Sequence, residues 1–504
     1  MNIGIDLGTT FSLAAYLNPQ GVPTLVPDAA QPQWLRTPSV VGVQGRQALV
    51  GQALEALLVD EPQRSIVRGF KQHMGTDAVP YTDDQGRAWS PEALSALVLF
   101  KLLRDVEASC GDPVEHALIT VPANFGDAQR KATLGAAALA GLQHVSLIEE
   151  PIAAAAHYGH SRRDAEQTVL VYDFGGGTFD ATVLHIADGR LYVLATEGDN
   201  QLGGRLVDQR LVEQLQVDVR RRYGLDMSHD AAAHEVLRRF AEAAKIALSQ
   251  PGQGVMRKTV VLGGRACELS LSPQQVQAAV QPVVEATLAA CERGLEGAGL
   301  GWGQMEHVLL VGGSSLLPTA GRALAAASGK PAGALVPRQP HQAVAFGAAV
   351  LADASVAEGA SLEPVHQSVA PYHLGLRVRD ATTGEARVQV LVKRNSPLPA
   401  RATTTIYTNR AEQTRVILEI VQSKGERDAG QSLGHFAFGP LRAPRLNYPV
   451  ELSLAYDAEG LVRVTARDLV TGEELQREMA AGGDSEVQRL QQGRACLAGV
   501  KVVS

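Results

Sequence analysis

Much that would steer the reading elsewhere is missing from this chain. Its 504 residues include only four cysteines, Cys110, Cys267, Cys291 and Cys496, and none forms a C-x-x-C pair or a Cys/His cluster with zinc spacing. That excludes a disulfide framework and a structural zinc site, and it favours a reducing, cytoplasmic setting. No apolar run approaches the length that spans a bilayer, and "MNIGIDLG" starts as a strand without a basic segment and apolar core, so neither membrane insertion nor secretion is expected. There is no basic excess either. The formal charge of -7 provides no electrostatic footprint for nucleic acid or an anionic membrane. A G-x-x-x-x-G-K-[ST] phosphate loop is absent, and the "DFG" at 173–175 lacks the H-R-D loop and V-A-I-K strand of a protein kinase.

What is present reads as a globular protein of two to four domains, with 45% hydrophobic and 20% charged residues and with 50 glycines and 25 prolines spread as turns. One pattern occurs twice. "GIDLGTTFS" at 4–12 and "YDFGGGTFD" at 172–180 share an apolar run, Asp, Gly, Thr and Phe, differ by one inserted glycine, and are each followed by an alternating apolar stretch. Each copy predicts strand, tight turn, strand. A glycine-rich turn turns successive N–H groups into one concavity and lets a phosphate approach the main chain. Asp6, Asp173 and Asp180 would repel bare phosphate, so they make sense with a hydrated Mg²⁺ between them and the phosphate oxygens. A single D-x-G-x-T turn is more often just a hairpin. Duplication in two α/β halves, with three carboxylates and three threonines, favours two facing turns that clamp a nucleotide tail.

Residues 1–352 alternate strand-like runs ("HALITVP", "TVLVYDF", "HVLLVGG") with helical patterns, which predicts α/β architecture. Ser90-Pro91 and Ser272-Pro273 mark two helix starts, and Pro282 is expected to kink the second. Periodicity vanishes over 353–368, a linker. From 369 to 480 the pattern is strands only, with "VELSLAY" and "LVRVTAR" as a hairpin, and 481–504 is a short tail too small for an independent helical domain.

At this point the chain resembles the heat shock protein 70 chaperones. "GIDLGTTFS", "VPANFGDAQRKAT", "EEPIAAAAHYG", "DFGGGTFD", "GDNQLGG" and "LLVGGSSLLP" occur in that family's order, and "NSPLP", "QSLGHFAFG" and "YDAEGLVRVTARDLVTGEE" are similar to its β domain. The resemblance implies an actin-like ATPase domain of two duplicated halves followed by an all-β sandwich that binds peptide, without the helical lid. It implies ATP/ADP and Mg²⁺, with Thr9, Thr10, Gly175, Gly176, Gly177 and Thr178 on the phosphates, Gly203 and Gly204 beside them, and Asp6, Asp173 and Asp180 organising the metal and its waters. Lys71 matches the lysine that positions the attacking water and Glu150 the acid that orients it. Alone, they would be called a solvated lysine and a helix-capping acid. Glu242 and Lys245 match the ribose contacts, Ser249 the adenine contact, and Gly312, Gly313 and Ser314 the opposite wall, while Pro122 and Arg130 fall where nucleotide state is relayed. The partners implied are extended polypeptides, a J-domain co-chaperone and a nucleotide exchange factor.

The chain departs from the family at several places. Leu316 stands where an arginine usually stacks on adenine, and His341 replaces an acid of the last ATPase motif. The linker ends "PVHQS" rather than in leucines and Asp, so it is not expected to dock as an apolar strand, and coupling between domains is open. The arch "RVRDATTGEARVQV" is polar, and Val416 and Leu418 are read mainly as sandwich core. Without a lid a bound client should leave quickly. Two functions follow: an ATP-hydrolysing chaperone-like protein, or a nucleotide-gated binding module with little turnover that serves a dedicated partner. A small-molecule kinase on the same fold would need a sugar or acid pocket and would not carry the β domain.

Overall fold

The computed structural model describes the chain apart from residues 62–63, 161–165, 251, 332–333, 338, 358–365, 380–384, 426–427, 480–483 and 504. Its first part is one arrangement built twice. In the first half the strand order is Val145–Glu149, His116–Val121, Asn2–Asp6, Phe11–Leu17 and Pro23–Leu25; in the second it is Leu335–Val336, His307–Val311, Gln167–Phe174, Phe179–Ala187 and Arg190–Asp199. The pairing also repeats. Asn2–Asp6 lies antiparallel to the next strand and parallel to His116–Val121, as Gln167–Phe174 does to its hairpin partner and to His307–Val311. Helices Asp127–Leu139 and Pro318–Ser328 make the crossovers between the parallel strands. Strands covered on both faces read as continuous apolar runs, which is why "HALITV" and "HVLLV" are almost wholly buried.

The predicted helix starts are where the caps put them. Ser90 accepts the Ala93 amide ahead of helix Pro91–Cys110, and Ser272 and Gln275 form a capping box ahead of helix Pro273–Gly297, which runs on through Pro282. After residue 368 two four-stranded antiparallel sheets form a sandwich, ordered Ala386–Val392, His373–Arg379, Val416–Ser423, Gln431–Phe438 and Ala400–Tyr407, Pro449–Tyr456, Val462–Asp468, Glu474–Glu478. Leu376, Ile420, Phe436, Tyr448, Leu452 and Val464 fill it. Val416 belongs to this core with Leu418 packed against it, while the intervening Ile417 is exposed. The tip of the polar arch lies outside the described residues.

The linker corrects one expectation. His366–Gln367 pairs in parallel with Leu191 and Tyr192, adding a strand to the second-half sheet. Strand addition uses main-chain hydrogen bonds, so the polar His366 and Gln367 dock without leucines. Ser368 then donates to Glu149 at 2.9 Å.

The tail is also more than an appendix. Helix Asp484–Leu497 lies on helices Pro91–Cys110 and Asp127–Leu139, with Leu490 over Gly135, Leu139 over Gly493, and Arg489 3.3 Å from the buried Glu92. It rests on the first half of the α/β part. Beyond it Lys501–Val503 pairs in parallel with Gln47–Val50, and Arg104 donates to the Val502 carbonyl at 2.7 Å. Val502 is buried, worth about 1.5 kcal/mol or more. Deleting residues 499–504 is therefore expected to loosen the helix and speed thiol labelling of buried Cys496 by roughly tenfold or more; an unchanged labelling rate shows that the strand holds nothing.

Candidate functional site

Asp6 ends the first strand of one half and Asp173 falls at the matching place in the other, where it pairs with Asp180 across the hairpin. The two turns that follow face each other. A Cβ on Gly176 would lie 2.0 Å from Thr10 Oγ1, and one on Gly177 would lie 2.6 Å from Thr9 Cγ2. Only glycine permits that approach, which accounts for the bare run between the acids. Gly204 donates to the Gly175 carbonyl at 3.0 Å and Ser314 Oγ donates to the same oxygen at 2.9 Å, so two more glycine-bearing segments close on the second turn. Gly204 also opens helix Gly204–Tyr223, whose N-terminal end adds a partial positive charge there.

Behind the turns stands a group of acids that the protein itself does not neutralise. Burial, then Glu150, pushes the Asp6 carboxyl up to about 7, against the pull of Lys71 and of the Thr120 hydroxyl at 3.4 Å. Burial and Glu150 carry Asp180 up to about 8, and burial with Glu150, Asp180 and Asp6 raises Asp173 well above its usual range. The Ala123 and Asn124 amides point at Asp180 without closing a hydrogen bond, and both its oxygens are buried and unpartnered, as is Thr10 Oγ1. Orphaned oxygens and mutually repelling acids fit a divalent cation as their partner. Among the described residues no three carboxylate, imidazole or thiolate groups converge as direct ligands of one ion.

Lys71 sits in the short 3₁₀ turn Phe70–His73, 4% exposed, and its Nζ donates to Glu150 Oε1 at 2.7 Å. Glu150 opens helix Glu150–His160 directly after strand Val145–Glu149. The solvated lysine and the idle capping acid are thus one buried ion pair beside the three aspartates. At the other end of the cleft Lys245 binds Asp208 at 2.8 Å and the Gly204 carbonyl at 3.3 Å, Glu242 holds Arg238 at 2.8 Å, and Ser249 donates to the Lys245 carbonyl within its own helix. His341 packs on Gly313, held below its ordinary pKa by burial and Arg36, and Leu316 is exposed. Glu55 and Arg239, 3.0 Å apart, tie the two halves at the rim.

A profile of the family described as Hsp70 protein matches residues 2–495. The chain belongs to the Hsp70 family. It is similar to the chaperone protein DnaK of Thermotoga neapolitana, 35% identical over 486 residues that cover 94% of this chain and 79% of that one. Membership makes it an ATPase of the chaperone type with an actin-like domain and a β sandwich. No helix among the described residues is long and apolar enough to cross a membrane.

This Hsp70 member carries its β domain docked directly behind the acids. Asp127 accepts the Val462 amide at 2.7 Å, Tyr372 donates to the Asn124 carbonyl at 2.8 Å, and Arg394 binds Glu197 at 2.7 Å. Lys424 reaches the carbonyl of Gly198, the strand partner of Asp180. Arg130, next to the Pro122 loop, is buried rather than a surface cation, and it joins Phe125, Glu149 and the Glu459 carbonyl of the β domain. Gln72, which donates to the Gly177 carbonyl at 2.9 Å, and Asp208 went unnoticed in the sequence. Gln72 adjoins Lys71 and was open to inspection; Asp208 becomes meaningful only when two helices meet.

Proposed function

We propose that the chain binds Mg-ATP in the cleft between its two halves, hydrolyses it, and couples that cycle to an extended polypeptide held by the β domain. The observation that carries this reading is the facing pair of hairpin turns, with three elevated aspartates behind them and the β domain docked on the residues flanking one of those acids. A divalent cation, when bound, supplies the charge neutralisation that lets a polyphosphate lie against carboxylates. In this reading the amides of Thr9, Thr10 and Gly176 to Thr178 would donate to the phosphate oxygens, the Gly175 amide closing the turn on the Thr178 carbonyl, and Asp6, Asp173 and Asp180 would hold the water shell of the ion. The Glu150 carboxylate accepts a hydrogen bond from the attacking water and so orients it, and the Lys71 ammonium stabilises negative charge developing on the transferred phosphoryl. Glu242, Lys245 and Ser249 face the nucleoside across from Gly312 to Ser314, beside Gly203 and Gly204.

Polypeptide clients, a J-domain co-chaperone and an exchange factor fit this assignment, and four free thiols fit a cytoplasmic setting. The second reading, a nucleotide-gated module with little turnover, draws on one observation: the β domain is tethered at both ends, through His366–Gln367 to the second half and through Lys501–Val503 to the first. Steady-state phosphate release with and without an unfolded polypeptide tests the choice. Turnover that polypeptide stimulates several-fold is the expected result. ATP binding by isothermal titration without release under single-turnover conditions favours the gated module.

A further inference from the structure

Arg205, at the cleft, has no ion-pair partner among the described residues. Arg205 is the second residue of helix Gly204–Tyr223, and its amide donates to the Gly176 carbonyl at 2.8 Å, on the second hairpin turn. Its side chain then leaves the second half and seats against the first. A Cβ on Gly69 would fall 1.1 Å from Arg205 Nη1, and Gly69 itself has φ 67°, so the seat exists because residue 69 is glycine. Lys71 follows two residues later. Arg205 thus joins the phosphate turn of one half to the segment that carries the lysine of the other.

Nη1 is buried without a hydrogen-bond partner, and the guanidinium makes no ion pair among the described residues. Neighbouring cations are all matched: Arg68 with Glu55, Arg238 with Glu242, Lys71 with Glu150. Asp208 and Glu242 favour its charge from a distance, while burial and the like charges of Arg238 and Arg68 oppose it. An N–H donor buried without a partner is unfavourable unless a ligand completes it. Carboxylate is not what is missing. The residue's own amide sits on the glycine turn, whose N–H groups suit phosphate, and a guanidinium fork matches phosphate oxygens in pairs.

We propose that Arg205 is a further phosphate-binding residue of the cleft, pairing with the phosphate chain of the nucleotide and thereby drawing the two halves together. The inference rests on the nucleotide-binding reading above, and the test keeps the two apart. Adenosine, Mg-ADP and Mg-ATP are titrated into the full chain, as wild type, Arg205→Gln and Arg205→Lys, with melting curves to confirm folding. For Arg205→Gln, Kd for ADP and ATP is expected to rise about 10- to 100-fold, the loss of one charge-assisted contact, with adenosine affinity unchanged. Arg205→Lys should recover part of the loss, and ADP affinity of the Gln variant should respond less to salt. An equal loss for adenosine and ADP, or no loss for either, overturns the inference: the first makes Arg205 a structural strut and the second a bystander. Failure of the wild type to bind ADP removes the nucleotide reading and this inference with it.

Discussion

Replacing Lys71 by alanine lowers steady-state phosphate release about a hundredfold, the loss of roughly 3 kcal/mol of transition-state stabilisation. The expectation is large because Lys71 is the positive charge placed among four acids. Its Nζ is 2.7 Å from Glu150 and 5.5 Å from the centre of the Phe125 ring, and it offsets the elevation of Asp6, Asp173 and Asp180. Removing it frees Glu150 from its partner and raises the three aspartates further, so the damage spreads beyond one hydrogen bond. Lys71→Met keeps much of the packing volume and separates charge from shape. Both variants should still bind ADP and melt cooperatively. Release at the wild-type rate in either would take Lys71 out of the mechanism.

The second large effect is on stability, and its sign is opposite to that of ordinary carboxylates. Asp6 and Asp180 hold their protons up to about 7 and about 8 in the folded chain but release them from 3.8 once unfolded. Between about pH 4 and pH 8 the folded state therefore binds more protons, and this cluster's contribution to stability falls as pH rises through that window. Each unit of elevation corresponds to about 1.4 kcal/mol, so the cluster costs the ligand-free protein several kcal/mol by pH 8. Asp180→Asn keeps the shape and removes a charge. It should raise the ligand-free Tm at pH 8 by several degrees, flatten the decline of Tm between pH 6 and 8, and abolish the extra stabilisation by Mg-ATP. A variant that melts lower than wild type at pH 8, with its nucleotide response intact, would show that the acids do not form the cation site. The trade of ligand-free stability for a binding charge is what a functional site displays.

Local chemistry made much of this readable in advance. The paired turns, the Ser-Pro helix starts and the hairpin from Pro449–Tyr456 to Val462–Asp468 all follow from residues close in sequence, and each is where the pattern put it. The residues proposed to meet phosphate, and the acids beside them, are legible because glycine runs beside aspartates are conspicuous. Other features were not readable. The linker is not expected to dock as an apolar strand, and the polar pairing that His366–Gln367 makes instead depends on the edge of Arg190–Asp199, which belongs to a different part of the chain. The tail was too short to suggest a fold of its own, and it has none; its helix and strand exist against Glu92, Leu139 and Gln47–Val50.

The amino-acid order by itself determined the duplicated halves, the bare turns with their acids, and the change from α/β to all-β, because turn conformation and hydrophobic period are set over a few residues. The tertiary structure alone decided that Thr10 meets Gly176, that Lys71 meets Glu150, that the β domain seats behind Asp180, and that Arg205 crosses to Gly69. These are meetings of side chains separated by tens to hundreds of residues. Their consequences, a raised carboxyl or an unmatched guanidinium, arise from desolvation and charge proximity that exist only once the chain has closed on itself.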